Sequence, residues 1–209
     1  MPSSFEKKKL LIILLSAFAA VLALLVAALL LLNGQGTGDS GGSRAPIQFA
    51  DPLLSVDIYT DEEYMDLDRT VYYTMVDGYE TTVPILAGEE IHYSAEVRLL
   101  IRLVQAAIAG DSDTYNACFS SEYIEKSGEF SPFTMQKLYD ITIVDYTYSA
   151  TAPSGYTSVR VYGLRYKIKD NNGSLRDDVG SDGEVEQRIS IVKDAAGDAF
   201  IYGINTVRS

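Results

Sequence analysis

The longest feature in the pattern of apolar and polar positions is an apolar run from Leu10 to Leu32. It contains 23 residues, with Ser16 as its one polar member and no charge. A helix of this length extends about 35 Å, which exceeds the roughly 30 Å hydrocarbon core of a bilayer. The alternative is a cleaved signal peptide, whose apolar core would be about 7–15 residues long and followed by small residues. This run is longer and ends in leucines. It therefore predicts a retained transmembrane helix at residues 10–32.

The charges on the two sides of this run predict its orientation. Three lysines at positions 7–9 directly precede it, and the first basic residue after it is Arg44. Basic flanks of membrane helices tend to stay in the cytoplasm. We therefore expect residues 1–9 to form a cytoplasmic tail and residues 33–209 to be extracytoplasmic.

A polar stretch separates the apolar run from the rest of the chain. Residues 33–52 are rich in glycine and serine, which is typical of a flexible linker. Residues 53–91 begin with six acids between Asp57 and Asp68. These acids lack the spacing of a calcium loop, so we expect a solvated acidic segment rather than a cation site. Two β-rich runs around the Asp-Gly pair at 77–78 predict a hairpin. The sequence leaves open whether this hairpin joins the domain that follows.

Helical periodicity is clearest between residues 94 and 110, where apolar positions recur three and four residues apart. Gly110 stands where a left-handed C-terminal cap belongs, and Asp111 can cap a second, short helix through its side chain. Ser131 followed by Pro132 predicts the start of a third short helix, because proline is well tolerated at the first helical position.

From residue 140 the period changes to alternation, which predicts four strands. They cover residues 140–150, 156–170, 183–194 and 198–207. The polar residues at 170–184 predict a long, mobile hairpin connection. Helices followed by consecutive strands indicate an α+β fold in which the helices pack on one face of an antiparallel sheet. We assign this domain to residues 92–209.

Composition narrows the choice of partners. The formal net charge is −12, and residues 1–32 contribute about +2, so the remainder carries about −14. Such a surface repels phosphate backbones, which argues against nucleic-acid binding. The single cysteine excludes an internal disulfide. Exported domains without disulfides are common in Gram-positive bacteria, and we expect a cell-membrane protein of that kind.

One short stretch carries a resemblance to a known family. A long helix ends in glycine and aspartate, and an aromatic residue then precedes a Ser-x-x-Tyr pattern. The residues concerned are Gly110, Asp111, Phe119, Ser120 and Tyr123. Over about residues 92–207 this order resembles the nuclear transport factor two-like superfamily. The resemblance implies a curved sheet that wraps around the helices to form a cone with an open cup.

The resemblance implies several functions. Some members of that superfamily are isomerases or dehydratases, but many are non-catalytic. The non-catalytic members include membrane-tethered scaffolds of type IV secretion and conjugation machines. Their layout is similar to that of this chain, with a short tail, one membrane span, a linker and an outer cone.

Cys118 is the first candidate for chemistry. A thiolate nucleophile needs a base or a cation nearby, and His92 is the chain's one histidine. Cys118 shares a predicted helix face with Tyr115 and Phe119, so we expect it to pack in the core as a small hydrophobe. One cysteine and one histidine are too few for a zinc site, and we expect no metal and no cofactor.

Asp145 is the best candidate for a general base, because its predicted strand face also carries two isoleucines. If that face points inward, burial would raise the pKa of its carboxyl group. If the opposite face points inward, Tyr146, Tyr162 and Tyr166 could instead line a ligand-binding cleft. The two arrangements exclude each other on one strand. We expect Asp145 to be a solvated residue at a strand end.

The sequence is compatible with three alternative functions. The first, which we favour, is an extracytoplasmic protein-interaction module that binds envelope proteins or itself. The 15 tyrosines and the absence of tryptophan fit an exposed, tyrosine-rich sheet. The second is a cup that binds a small ligand, and the third is an enzyme of the isomerase or dehydratase kind. Because no complete catalytic set is visible, we expect no enzymatic activity.

Overall fold

The computed structural model describes residues 57–207. The predicted tail at 1–9, transmembrane helix at 10–32 and linker at 33–52 lie outside this range. The helices are α1 (Glu62–Met65), α2 (Ala95–Ala109), α3 (Ser112–Asn116) and α4 (Ser121–Ser127). The strands are β1 (Val71–Asp77), β2 (Tyr79–Pro84), β3 (Lys137–Ala150), β4 (Ser158–Lys169), β5 (Gln187–Lys193) and β6 (Ala199–Thr206). Short 3₁₀ turns form at Ile58–Thr60 and Glu90–His92.

The strands form one six-stranded sheet in the order β2-β1-β3-β4-β5-β6. Every neighbouring pair is antiparallel except β1 and β3, which run parallel. The α+β prediction is confirmed, but the sheet is mixed rather than purely antiparallel. Helices α2, α3 and α4 lie in the connection between β2 and β3, and such a crossover allows β3 to pair parallel with β1.

The predicted hairpin is present and joins this sheet. β1 and β2 pair from Tyr72 with Pro84 to Asp77 with Tyr79. Gly78 turns the chain with a φ of 70°, whereas Asp77 keeps a negative φ. The open question about residues 53–91 is thereby answered for the hairpin, since β1 lies directly beside β3.

The predicted central helix is confirmed with both of its ends. The Ser94 hydroxyl caps α2 by accepting a hydrogen bond from Val97 N at 3.3 Å. Gly110 ends the helix in the left-handed conformation, with a φ of 67°. Asp111 then caps α3 by accepting a hydrogen bond from Thr114 N at 2.9 Å. Local capping chemistry therefore positions both helices.

The third helix, predicted to start at Ser131, is absent there. The helix that follows α3 is instead α4, which was not predicted, and Ser120 caps it by accepting a hydrogen bond from Tyr123 N. Residues 131–136 have no regular structure and lead into β3. Phe133 is buried and Gln136 N donates to Ala107 O, so tertiary contacts override the local helix signal.

The helices pack on one face of the sheet around an apolar core. The α2 side chains Leu100 and Leu103 meet the strand residues Ile141, Ile143 and Ile189 there. A second group at the far end of α2 is aromatic, and its members are Tyr115, Phe119, Phe130 and Phe133. Cys118 is fully buried in this core, which confirms the packing prediction.

Two polar segments are more ordered than expected. In the acidic segment Ile58 and Tyr64 are buried, and Asp61 both caps α1 and pairs with Lys137. Five of the six acids are exposed, as expected of a solvated acidic segment, but the two buried side chains tie the segment to the domain. The loop at 170–184, which we expected to be a mobile connection, is held by internal hydrogen bonds. Buried Asn171 donates two hydrogen bonds, to Arg176 O at 3.0 Å and to Val179 O at 2.7 Å, and so folds the loop back on itself.

Candidate functional site

Asp145 lies at the centre of a buried polar cluster. Its side chain is 6% exposed, and its two oxygens accept four hydrogen bonds. Oδ1 accepts from Thr147 N at 2.8 Å and from Arg160 Nη2 at 2.9 Å. Oδ2 accepts from the Tyr73 hydroxyl at 2.8 Å and from Arg160 Nη2 at 2.9 Å. The expectation of a solvated Asp145 at a strand end is wrong, because β3 continues past it to Ala150 and β1 covers it.

A β-bulge builds this arrangement. The pairing of β3 with β4 shifts between Asp145 and Ser149. Within the bulge Thr147 has a φ of 53°, which is unusual for a β-branched residue. The backbone N–H of Thr147 donates to Asp145 Oδ1, and its hydroxyl donates to Val76 O at 3.2 Å. The bulge thus supplies one of the three groups that donate hydrogen bonds to Asp145.

A second buried carboxylate, Glu96, belongs to the first turn of α2. Its side chain is 2% exposed and its Oε1 lies 3.1 Å from Lys193 Nζ. Burial alone would raise the pKa of Glu96, but hydrogen bonds from its own backbone N–H, Lys193 and Ser94 hold it below its ordinary value. Its other oxygen, Oε2, has no hydrogen-bond partner among the described residues.

Tyr162 is a third buried polar side chain of this region and lies beside Asp145. It pairs with Asp145 across β3 and β4, and the Arg160 guanidinium lies 5.3 Å from the centre of its ring. Burial raises the pKa of the Tyr162 hydroxyl to about 12, and this hydroxyl too has no partner among the described residues. Burial, followed by the Asp145 carboxylate, raises the pKa of Tyr73 as well. Both hydroxyls therefore stay protonated at neutral pH.

The structure separates the three candidate tyrosines. Tyr162 and Tyr166 are buried on the core face, the same face as Asp145. Tyr146 is the next residue along β3 and lies on the opposite face. The prediction that these tyrosines share one face, and that this face excludes Asp145, is wrong. The Tyr166 hydroxyl is buried as well, and it donates to Gln187 Oε1 at 3.3 Å.

Tyr146 belongs to a separate charged group on the outer face of the sheet. Its hydroxyl donates to Glu186 Oε1 at 2.8 Å, and Glu186 also pairs with Arg165 and Arg188. The Arg188 guanidinium stacks 4.2 Å from the centre of the Tyr146 ring. Gly163 makes room for that ring, since a Cβ there would lie 3.0 Å from Tyr146 Cε2. The ring is therefore packed rather than open for a ligand.

The buried cluster is balanced in charge. Asp145 is neutralised by Arg160, and Glu96 by Lys193. A general base needs a lone pair that faces its substrate, and the four hydrogen bonds from the three donor groups around Asp145 already use its acceptor sites. The Asp145 group instead ties β1, β3 and β4 together, and the Glu96–Lys193 pair ties α2 to β5. Sequence reasoning missed Glu96 because acidic residues are common in the first turn of a helix, where they interact favourably with the helix dipole.

The β1–β2 hairpin is the most exposed part of the sheet. Every residue of β2 is solvent-exposed, and β2 forms one edge of the sheet. The exposed large apolar side chains of this hairpin are Met75, Val76, Tyr79 and Val83, and Tyr148 of β3 is exposed as well. Tyr79 is 87% exposed, the largest value among the exposed apolar residues of the described chain. This surface combines apolar side chains with a strand edge that no other strand within residues 57–207 pairs.

A groove of about 590 Å³ lies between α2, the residues before β1 and the segment after β2. Its walls include Leu67, Ile85 and Ile101. Polar side chains that line it are Arg69, Gln105, Asp68 and Glu90. Arg69 Nε is buried without a hydrogen-bond partner in the described part of the chain. This groove is distinct from the polar cluster around Asp145.

Searches for further features and for relatives give three results. Between residues 57 and 207, no group of three or more His, Cys, Asp or Glu side chains could hold a metal ion. None of the helices in that range is both long enough and apolar enough to cross a membrane. No protein-family model, no curated protein and no solved structure matches the chain. The resemblance to the nuclear transport factor two-like superfamily therefore remains a hypothesis.

Proposed function

We propose that this chain is a single-pass membrane-anchored, extracytoplasmic protein-interaction module of the cell envelope. The apolar run at 10–32, the lysines before it and the linker at 33–52 support the anchor and its orientation. The folded domain then stands outside the membrane, as in the scaffolds of conjugation and secretion assemblies. Its partners are envelope proteins or further copies of the chain.

The observation that carries this proposal is the exposed β1–β2 hairpin. Apolar side chains on a free strand edge are a liability that soluble monomers normally avoid. Edges of this kind bind extended segments of other chains by adding a strand to the sheet. In contrast, the carboxylate of Asp145 is saturated by its donors and does not support a catalytic role.

Site-specific photo-crosslinking tests the proposal. A photoreactive amino acid replaces Tyr79 on the hairpin in the full chain, expressed in a Gram-positive host, and adducts are identified by mass spectrometry. The matched control is the same replacement at Tyr59, which is 51% exposed and lies outside the hairpin. We expect defined protein adducts at Tyr79 and few at Tyr59. Equal labelling at both positions, or none at Tyr79, would count against an interaction module.

A cup that binds a small ligand is the second candidate. It is favoured by the groove that holds Arg69 and by the curved, cone-like sheet that the family resemblance implies. Arg69 can pair with one carboxylate of a small ligand whose apolar part meets these walls, while Asp68 and Glu90 in the same lining disfavour a second negative charge. A screen of small carboxylates by the shift in thermal unfolding, with Arg69→Gln as the comparison, separates this candidate from the first. Stabilisation of the wild type alone would support the cup.

A further inference from the structure

The direction of the free backbone groups on β2 follows from its pairing with β1. Ile85 N donates to Val71 O at 2.8 Å, so the backbone groups of this pair face each other. Hydrogen-bonded and non-hydrogen-bonded pairs alternate along antiparallel strands. In the observed register Tyr79, Thr81 and Val83 therefore direct their backbone groups toward β1. The N–H groups of Glu80 and Thr82 point away from the sheet.

The open edge of β2 lacks most of the devices that keep strand edges apart. Natural edges are commonly blocked by lysines, inward-pointing charges, bulges or a covering loop. β2 carries one charge, on Glu80, and all of its residues are exposed. The pairing between β1 and β2 shows no register shift. Pro84 is the one blocking residue, and it lies at the end of the strand.

We propose that β2 pairs antiparallel with β2 of a second copy of this chain, with Thr81 at the two-fold axis. In this register Glu80 and Thr82 of each copy exchange backbone hydrogen bonds with Thr82 and Glu80 of the other, four bonds in all. Tyr79 lies opposite Val83 of the second copy, and Thr81 lies opposite Thr81. The two six-stranded sheets become one continuous sheet.

The side chains of β2 favour a second copy over an unrelated strand. The sequence Tyr-Glu-Thr-Thr-Val is complementary to itself when reversed around Thr81. Each exposed Tyr79, at 87%, meets an exposed Val83, at 40%, and such aromatic and β-branched pairs stabilise sheets. Each Glu80 meets a threonine, so no two acids face each other. A displacement by one residue would turn Tyr79 and Val83 to different faces.

The contact is small and depends on the membrane anchor of the proposed function. One short strand from each copy is far below the about 20–30 residues a side of a stable interface. Two chains anchored in the same membrane reach a high effective concentration, which allows a weak contact to form. We therefore place this pairing at the membrane and not in dilute solution.

Disulfide crosslinking of the full chain in intact cells tests the register. Thr81→Cys brings two thiols together at a non-hydrogen-bonded pair, where the Cα atoms are about 4.5 Å apart and a disulfide can close. The matched control is Thr206→Cys, an exposed threonine on β6 at the opposite edge of the sheet. The wild type is a second control, because its Cys118 is buried. After mild oxidation we expect a dimer on non-reducing gels from Thr81→Cys alone.

A second pair of variants tests the backbone hydrogen bonds. Thr82→Pro, combined with Thr81→Cys, removes an outward N–H that does not serve β1, and with it two of the four bonds. Thr82→Val keeps that N–H but, like the proline, loses the side-chain contact of Thr82 with Thr74. At about 1 kcal/mol per bond, we expect at least a tenfold lower dimer yield from the proline variant than from the valine variant.

The outcomes separate the pairing from the broader proposal. Absence of a Thr81→Cys dimer, an equal dimer from Thr206→Cys, or equal yields from the Thr82 variants would overturn the pairing. If Tyr79 still gave adducts with other envelope proteins, the interaction module would stand without self-pairing. If Tyr79 gave no adducts of any kind, both proposals would fail.

Discussion

At the residue scale, the two buried carboxylates differ in how completely their oxygens are satisfied. Both oxygens of Asp145 accept two hydrogen bonds each, whereas Glu96 has one paired and one unpaired oxygen. Buried charges are stable only when they are paired and hydrogen-bonded. Asp145 and Glu96 are therefore the positions where a conservative change has the clearest effect on the fold.

Asp145→Asn should destabilise the domain by about 2 kcal/mol, because its amide NH₂ must face a donor from Arg160, Thr147 or Tyr73. The matched control is Asp140→Asn on the same strand, since Asp140 is 42% exposed and pairs with Lys167 at the surface. We expect a much smaller effect there. Thermal unfolding of the full chain in mild detergent, followed by near-ultraviolet circular dichroism, gives both values. Equal losses would contradict the buried network.

Glu96 should contribute to stability in a pH-dependent way. Its pKa in the folded protein is held below the ordinary value of 4.5, so folding favours the ionised form. This stabilisation is present above the ordinary pKa and is lost as the pH falls through the lower folded value. In Glu96→Gln we expect a lower stability at neutral pH and a flatter decline below about pH 4.5.

The same acid titration of Glu125→Gln serves as the control for Glu96, because Glu125 is an exposed residue of α4. Its decline should follow that of the wild type. If the stability of Glu96→Gln declined with pH in parallel with that of the wild type, ionisation of Glu96 would not stabilise the folded protein.

At the element scale, the junction between α2 and α3 shows how strongly local chemistry constrains this fold. Gly110 ends α2 with a φ of 67°, and a Cβ there would lie 2.7 Å from Met135 N. The glycine therefore serves two purposes, the left-handed cap and the close passage of the chain that leads to β3. The predicted helix at Ser131 failed at this same place, because that chain packs against the end of α2.

Gly110→Ala should lower stability by well over the about 1–2 kcal/mol that the left-handed conformation alone costs an alanine. Gly78→Ala separates the two causes. Gly78 has a similar φ of 70°, but no atom lies within 4 Å of the position of an added Cβ. We expect the thermal midpoint to fall much further for Gly110→Ala than for Gly78→Ala. Similar midpoints would mean that the contact with Met135 is easily relieved.

At the scale of the whole molecule, the proposal depends on which side of the membrane holds the folded domain. The described residues form one sheet with helices on one face and an exposed hairpin at one edge. An interaction module with this surface is useful in the envelope only if residues 33–209 face outward.

Protease treatment of intact protoplasts tests that topology. With an epitope at each end of the full chain, we expect external protease to remove the C-terminal epitope and to leave the N-terminal one protected, because the lysines at 7–9 hold the tail inside. Detergent lysis, which exposes both epitopes, is the control. A protected C-terminal epitope in intact protoplasts would reverse the orientation.

The sequence by itself determined the elements whose signals are local. The helix at 95–109 with its glycine cap, the hairpin around Gly78 and the four later strands all carry their signal within a few residues of the sequence. Only the tertiary structure decided the parallel entry of β1, the position of α4 and the surroundings of Asp145. Asp145 meets Tyr73 from 72 residues earlier in the chain, and Glu96 meets Lys193 from the other end of the domain. Such partners are chosen by packing and strand register, for which periodicity and caps carry no signal.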